Sequence, residues 1–163
     1  MIEIRKSALA DIDAIMAVYD SARAFMRAGG NLTQWVNGYP SRKLICDDIA
    51  AGASYVGVDN DGEIVMAFSF FTGADPTYTI IENGSWLNDD PYGTIHRLGS
   101  NGRHSGMLKA CVDFCCAIIP NLRLDTHTDN HTMRRAAERL GFIPCGIIYC
   151  TDGTPRIAYH RPA

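Results

Sequence analysis

The sequence lacks any apolar run near the ~20 residues needed to cross a bilayer. Its opening, MIEIRKSALADID, carries acids early and holds no apolar signal-peptide core. A cytoplasmic protein without a membrane partner is therefore expected. It also lacks an excess of basic residues: 15 Lys and Arg stand against 18 Asp and Glu, a net charge of −3. That balance argues against a nucleic-acid partner. Paired C-x-x-C elements are missing, and the six cysteines at 46, 111, 115, 116, 145 and 150 show no disulfide framework spacing. Cys111 and Cys115 lie one helical turn apart with Leu108 and Val112, as small buried hydrophobes would, and no metal site is expected. There is no G-x-S-x-G elbow, no dinucleotide G-x-G-x-x-G and no kinase-type phosphate loop. Repeats, linkers and low-complexity segments are also missing. With 47% hydrophobic residues in a chain of 163, a single domain over 1–163 with its own core is the expectation.

What is present is a succession of short apolar strands and amphipathic helices. Ile2 and Ile4 alternate with Glu3 and Arg5 in a short edge-like strand. Ser7 is placed to cap a helix over 8–28, with Ile12, Ile15, Met16, Tyr19, Ala22 and Met26 on one face. Gly29-Gly30-Asn31 stops it. The following loop, LTQWVNGYP, carries Trp35 and Tyr39, which either wall a pocket or plug the core. Ser41 opens a second helix to about Ala51, with Leu44, Ile45 and Ile49 apolar. Asp59-Asn60-Asp61-Gly62 is a strong hairpin turn signal between strands at 55–58 and 63–71. The second of these, with little alternation, belongs in the middle of a sheet.

Residues 72–91 read as an insertion. Its Tyr78, Glu82 and Trp86 are candidate substrate contacts, because aromatic and acidic loops over strand ends often line pockets. A strand over 93–100 and an Asn101-Gly102 turn lead into a helix over 105–118, ended by Pro120. A strand over 121–127 precedes a helix capped by Asp129 or Asn130, with Met133, Ala136, Ala137 and Leu140 as its buried stripe. Gly141 ends that helix, and strands over 142–150 and 154–159 form a final hairpin. Its edge strands could pair across a homodimer or be blunted by Arg156 and Arg161.

The stretch YGTIHRLGSNGRHSGML (92–108) organises the rest. It is a strand, a glycine turn and a helix start, and the first turn of a helix has unpaired N–H groups and a positive dipole end that favour a phosphate. Arg103-His104-Ser105-Gly106-Met107-Leu108 resembles the acyl-CoA pyrophosphate loop of the GCN5-related N-acetyltransferase (GNAT) superfamily, Q/R-x-x-G-x-G/A. Arg103 and Gly106 match, whereas Leu108 stands where Gly or Ala is usual. A second stretch, NHTMRRAAERLGF (130–142), resembles the family's helix ending in Gly-Phe, and the element order agrees across nearly the whole chain. The resemblance implies an α/β fold with a central twisted mixed sheet of six to seven strands and helices on both faces. It further implies acetyl-CoA, with the pantetheine arm on the main chain of Leu98, Gly99 and Ser100 and beside Asn130. The pyrophosphate would then lie on the amides of 103–108.

Acetyl transfer to an amine needs a base for the amine and a proton for the departing thiolate. His96 is the candidate base, since histidine titrates near neutral pH and strand alternation puts it on the face of Leu98. Arylalkylamine N-acetyltransferases are similar in placing a histidine at that strand position. The alternative is a half-buried histidine bonded to a backbone carbonyl. The family's usual acid, a tyrosine, is replaced by Ala137; Tyr149, Cys150 or water could serve instead. Asp125 and His127 share a strand face and could relay protons with His96, or form an ion pair with Arg97 or Arg123.

The resulting expectation is an acetyl-CoA-dependent N-acetyltransferase. It would act by direct attack on a primary amine of a small molecule or peptide, with Trp35, Tyr39, Tyr78, Glu82 and Trp86 around the acceptor. The other reading, motivated by Ala137 and Leu108, is a catalytically silent CoA-binding module.

Overall fold

A computed structural model describes residues 1–163. The apolar runs become strands β1 (Glu3–Lys6), β2 (Ser54–Val58), β3 (Ile64–Thr72), β4 (Gly93–Ser100), β5 (Leu122–Thr126), β6 (Ile143–Tyr149) and β7 (Pro155–Arg161). The amphipathic stretches become helices α1 (Ile12–Ala28), α2 (Arg42–Ala50), α3 (Met107–Ile118) and α4 (His131–Arg139). The strands form one seven-stranded mixed sheet in the order β1-β2-β3-β4-β5-β7-β6. Packing divides the chain into two units, residues 1–70 with 96–111 and residues 71–95 with 112–163.

In the first unit β1 runs antiparallel to β2, and β2 antiparallel to β3. The hairpin turn forms where expected: Asp59 Oδ1 accepts the N–H groups of Asp61 and Glu63, both at 3.0 Å. Residues 65–70 of β3 are buried without alternation, as a strand covered on both faces requires. The core joins Ile15, Val18, Tyr19 and Ala22 of α1 to Trp35, Ile45, Val56 and Ala67. Each large aliphatic side chain so buried contributes roughly 1.5–3 kcal/mol. Ser41 caps α2 as expected, its hydroxyl accepting from Leu44 N at 3.1 Å. Ser7, expected to cap α1, does not. Its N–H donates to Ser54 O and its hydroxyl accepts from Ser54 Oγ at 2.8 Å. The helix is instead approached through a 3-10 turn over Leu9–Asp11, with the Asp11 carboxylate taking the Ala8 N–H at 2.7 Å.

In the second unit β5 pairs antiparallel with β7, and β7 antiparallel with β6. The final hairpin therefore has one edge strand, not two, because β7 lies inside the sheet. Arg161 does not blunt an edge: its guanidinium donates to Leu140 O at 2.9 Å and to Cys116 Sγ at 3.0 Å. The remaining edge, β6, is met by the insertion. Glu82 and Ile147 exchange both backbone hydrogen bonds, at 2.9 and 2.8 Å, and a Cβ on Gly84 would collide with the Cys145 carbonyl. Tyr78, Ile148 and Ala158 form the local core, with Ile81, Trp86 and Tyr92 packed against it. Asn130 caps α4 by accepting from Met133 N at 3.2 Å, and Gly141 (φ +89°) ends the helix in the left-handed region. The parallel ladder of β4 with β5 consists of Gly93↔Leu122 and Thr94↔Arg123. No helix is long and apolar enough to cross a membrane.

Candidate functional site

In the first unit the second half of β4 is set by α1. A Cβ on Gly99 would stand 3.0 Å from the Tyr19 ring and 3.2 Å from Ala22, so a larger residue would push helix and strand apart by a few tenths of an ångström. Beyond β4 the chain turns through Gly102 (φ +78°) and Gly106 (φ +77°), with open space where each Cβ would stand. Residues 102–106 are exposed, whereas Met107 and Leu108 are buried, only 9% and 8% exposed. Leu108 thus points into the core as the first apolar residues of α3 do, and leaves the loop clear. The loop is tied back at two points: Asn101 N donates to Val65 O at 3.0 Å, and the His104 ring meets Asp59 Oδ2 at 3.1 Å. The Asp59 carboxyl is held below its usual range by the Glu63 amide first and by His104 next.

His96 is half-buried in β4. Between His96 and Leu98, Arg97 takes φ +55°, a left-handed conformation rare for a residue with a side chain. Arg97 is held from several sides. Its Nε and Nη2 reach Asp48 Oδ2 at 3.0 and 2.8 Å, its Nη1 donates to the Tyr39 hydroxyl at 3.1 Å, and its carbonyl accepts from Tyr19 Oη at 2.7 Å. Ser69 Oγ donates to the same Asp48 oxygen at 2.6 Å. Burial disfavours the guanidinium charge, but Tyr39 and Asp48 outweigh it and raise the arginine's pKa. Burial likewise pushes the Tyr19 phenol far up, so it stays a neutral donor.

Of the aromatic loop residues, Trp35 packs edge-on against Tyr19 in the core, with ring centroids 5.5 Å apart. Tyr39 stays 38% exposed beside it, its backbone carbonyl held by Arg23. Sequence reasoning missed Asp48. Its signal was legible, since in RKLICDDIA it lies three residues after Ile45, on the buried stripe of α2.

In the second unit Tyr78 is 2% exposed and donates its hydroxyl to Asp125 at 2.7 Å; burial, then Asp125, pushes the phenol up. Trp86 packs at a tilt against Tyr78, ring centroids 4.9 Å apart, and donates to its carbonyl, so these two side chains spend their surface on packing. Glu82 is exposed and accepts from the Tyr149 hydroxyl at 2.9 Å, a bond that raises the tyrosine's pKa and keeps it protonated. Cys150 is raised by burial and then by Asp125, which makes it a thiol rather than a thiolate. The His127 ring accepts from Asp129 N, and its pKa is lowered by burial and then by Arg156. Ala137 is fully buried in α4. No cluster of three or more His, Cys, Asp or Glu is arranged to hold a metal.

Solved structures with this fold include a GNAT-family acetyltransferase from Streptococcus agalactiae 2603. It is 32% identical, with a TM-score of 0.89 over 99% of this chain and 95% of that one. A GNAT-family acetyltransferase from Listeria monocytogenes 4b F2365 is 20% identical, with a TM-score of 0.73 over 99% and 95%. The NatC complex bound to Gag peptide and CoA shares the fold at 14% identity, with a TM-score of 0.61 over 99% and 98%. No family model and no curated protein matches the chain. One third identity along almost the full length of both chains, on the same sheet and helices, decides the matter: this chain belongs to the GNAT family of acetyltransferases.

Proposed function

We propose that the protein transfers the acetyl group of acetyl-CoA to a primary amine of a small molecule or peptide by direct attack, in the cytoplasm. The observation that carries this reading is the segment from Leu98 to Leu108: a strand backbone, two left-handed glycines with open space above them, then the start of α3. Such a cradle fits a pyrophosphate, since the glycines admit it to the helix's unpaired N–H groups. Arg103, His104, Ser105, Gly106, Met107 and Leu108 would hold the pyrophosphate, and Leu98, Gly99 and Ser100 would bond the pantetheine arm. Asn130 is a further contact of that arm, its second role beside capping α4. Acetyl-CoA supplies the activated acyl group.

His96 takes the proton of the acceptor amine. Tyr39 walls the acceptor, with Trp35 behind it fixing its position. In the second unit Glu82 offers a carboxylate to a cationic amine, on a loop that Tyr78 and Trp86 support from the core. Tyr149, a phenol kept protonated by Glu82, is the candidate proton donor to the leaving thiolate. The buried position of Leu108 removes one motive for a silent CoA-binding module; Ala137 remains as the other.

The test is calorimetric titration with acetyl-CoA, followed by turnover against a panel of amines. His96→Ala should bind acetyl-CoA as the native protein does and lose roughly 10²–10⁴ in kcat, the usual range for a general base. Full turnover by that variant would remove His96 from its role, and absence of acetyl-CoA binding would remove the function.

A further inference from the structure

We propose that Asp59, in the turn between β2 and β3, is a positioning residue for the pyrophosphate of the cofactor and acts through His104; this rests on the reading of 103–108 as the pyrophosphate loop. Asp59 is 44 or more residues from that loop in sequence and carries none of the motif, yet its two carboxylate oxygens serve two different structures. Oδ1 accepts the amides of Asp61 and Glu63 and shapes the hairpin turn. Oδ2 faces His104 Nε2 at 3.1 Å. The side chain is 4% exposed, and its backbone N–H is itself bonded to Glu63 O at 2.9 Å, so the carboxylate is a rigid post. A depressed carboxyl is ionised at neutral pH and can only accept, which puts the hydrogen on Nε2 of the ring. The Arg103 charge also helps, after these closer groups, to hold the Asp59 carboxyl down.

The loop needs such a post. Every residue from Gly102 to Gly106 is exposed, and both glycines allow wide backbone freedom. Amides can meet a phosphate only when they point the same way, and ordering them at the moment of binding costs affinity that a preorganised loop does not lose. His104 sits in the middle of the span, two residues from either glycine, where one tether restrains both halves. The tether belongs to a packed hairpin rather than to the loop itself, which is what makes Asp59 a positioning group.

The experiment titrates CoA calorimetrically into the full-length native protein, Asp59→Asn, His104→Leu, His104→Gln and the Asp59→Asn/His104→Leu double variant, with thermal melts alongside. Asn keeps an oxygen for the turn amides, and Gln keeps a side-chain N–H within reach of Oδ2. The expected result is a loss of about tenfold in CoA affinity for Asp59→Asn and for His104→Leu, with the double variant no weaker than either. His104→Gln, which keeps a side-chain N–H for Oδ2, should recover part of the affinity that His104→Leu loses. Unchanged affinity in both single variants would overturn the proposal, including where the melting temperature falls, since that is a purely structural turn. So would losses that multiply in the double variant, or tighter binding by Asp59→Asn, which would make the carboxylate a repulsive charge. A native protein that binds no CoA overturns the pyrophosphate reading itself, an outcome distinct from native binding with indifferent variants.

Discussion

Arg97 lies 11% exposed in a strand, at a backbone angle that side chains rarely adopt, against an Asp48 carboxylate that is 7% exposed. Left-handed strand residues are held only when their surroundings over-determine them. Here the restraint comes from Tyr19 on the carbonyl and from Asp48 and Tyr39 on the guanidinium. Removing one partner of a buried ion pair strands the other charge away from water, at a cost of roughly 3–5 kcal/mol. Asp48→Ala is therefore expected to lower stability by about 3 kcal/mol in urea unfolding. The neighbouring Asp47 pairs with Lys43 in the open, and Asp47→Ala should cost less than about 0.5 kcal/mol. Equal losses from the two variants would mean that the Arg97 charge is met elsewhere. Because His96 directly precedes Arg97, the same restraint fixes the backbone that carries the candidate base.

The segment that leads into β4 is anchored by a buried polar cluster rather than by apolar contacts alone. His160, fully buried on β7, accepts the Leu87 N–H on Nδ1 at 3.1 Å and donates from Nε2 to Asn121 Oδ1 at 2.8 Å. Asn121 in turn holds the Asn88 side chain and the Asp90 and Pro91 carbonyls. Arg123 lies 4.2 Å over the Trp86 ring and 3.8 Å over that of Tyr92 and donates to Asn88 O. Burial, and then the Arg123 charge, depress His160 to about 4, so it is neutral when folded and both its ring nitrogens are committed. The unfolded chain, with histidine near 6.5, binds more protons than the folded one between these values. The contribution is therefore whole above about pH 6.5 and is lost as pH falls toward 4, by up to ~3 kcal/mol. His127, also depressed, acts with the same sign, so the informative quantity is a difference. Urea unfolding at pH 7, 6, 5 and 4.5 should show a steeper acid loss for the native protein than for His160→Gln. Parallel curves would remove His160 from the acid response.

At the scale of the whole chain, what was legible in the sequence followed from periodicity and punctuation. Helices and strands appeared because apolar spacing at 3.6 or 2 residues is local, and the glycine loop because its residues are consecutive. Ser7 misled because a serine before a helix is also a good partner for a neighbouring strand, here Ser54. The Arg97–Asp48 pair, the Asp59–His104 tether and the His160–Asn121 pair join residues distant in sequence, and no local pattern announces them. The same holds for the sheet edges, since a hairpin in sequence does not reveal that β7 pairs on both sides.

Those edges decide how the chain meets copies of itself. An open strand edge is a template for pairing, and proteins blunt it with short strands, charges, proline or a covering segment. β1 is four residues long and carries Arg5 and Lys6. β6 contains Pro144 and is bridged at Ile147 by Glu82, and Gly84 is the residue that lets the covering segment lie against Cys145. The native protein is therefore expected to sediment as a monomer at micromolar concentration. Gly84→Ala forces a methyl group into the Cys145 carbonyl, must lift the segment, and frees the outer backbone groups of β6. That variant should exchange the Ile147 amide hydrogen faster and associate with concentration, as sedimentation velocity would show. Protected exchange at Ile147 in Gly84→Ala, or a native dimer unaffected by it, would mean that self-association is governed by another surface and that the insertion's role is confined to presenting Glu82.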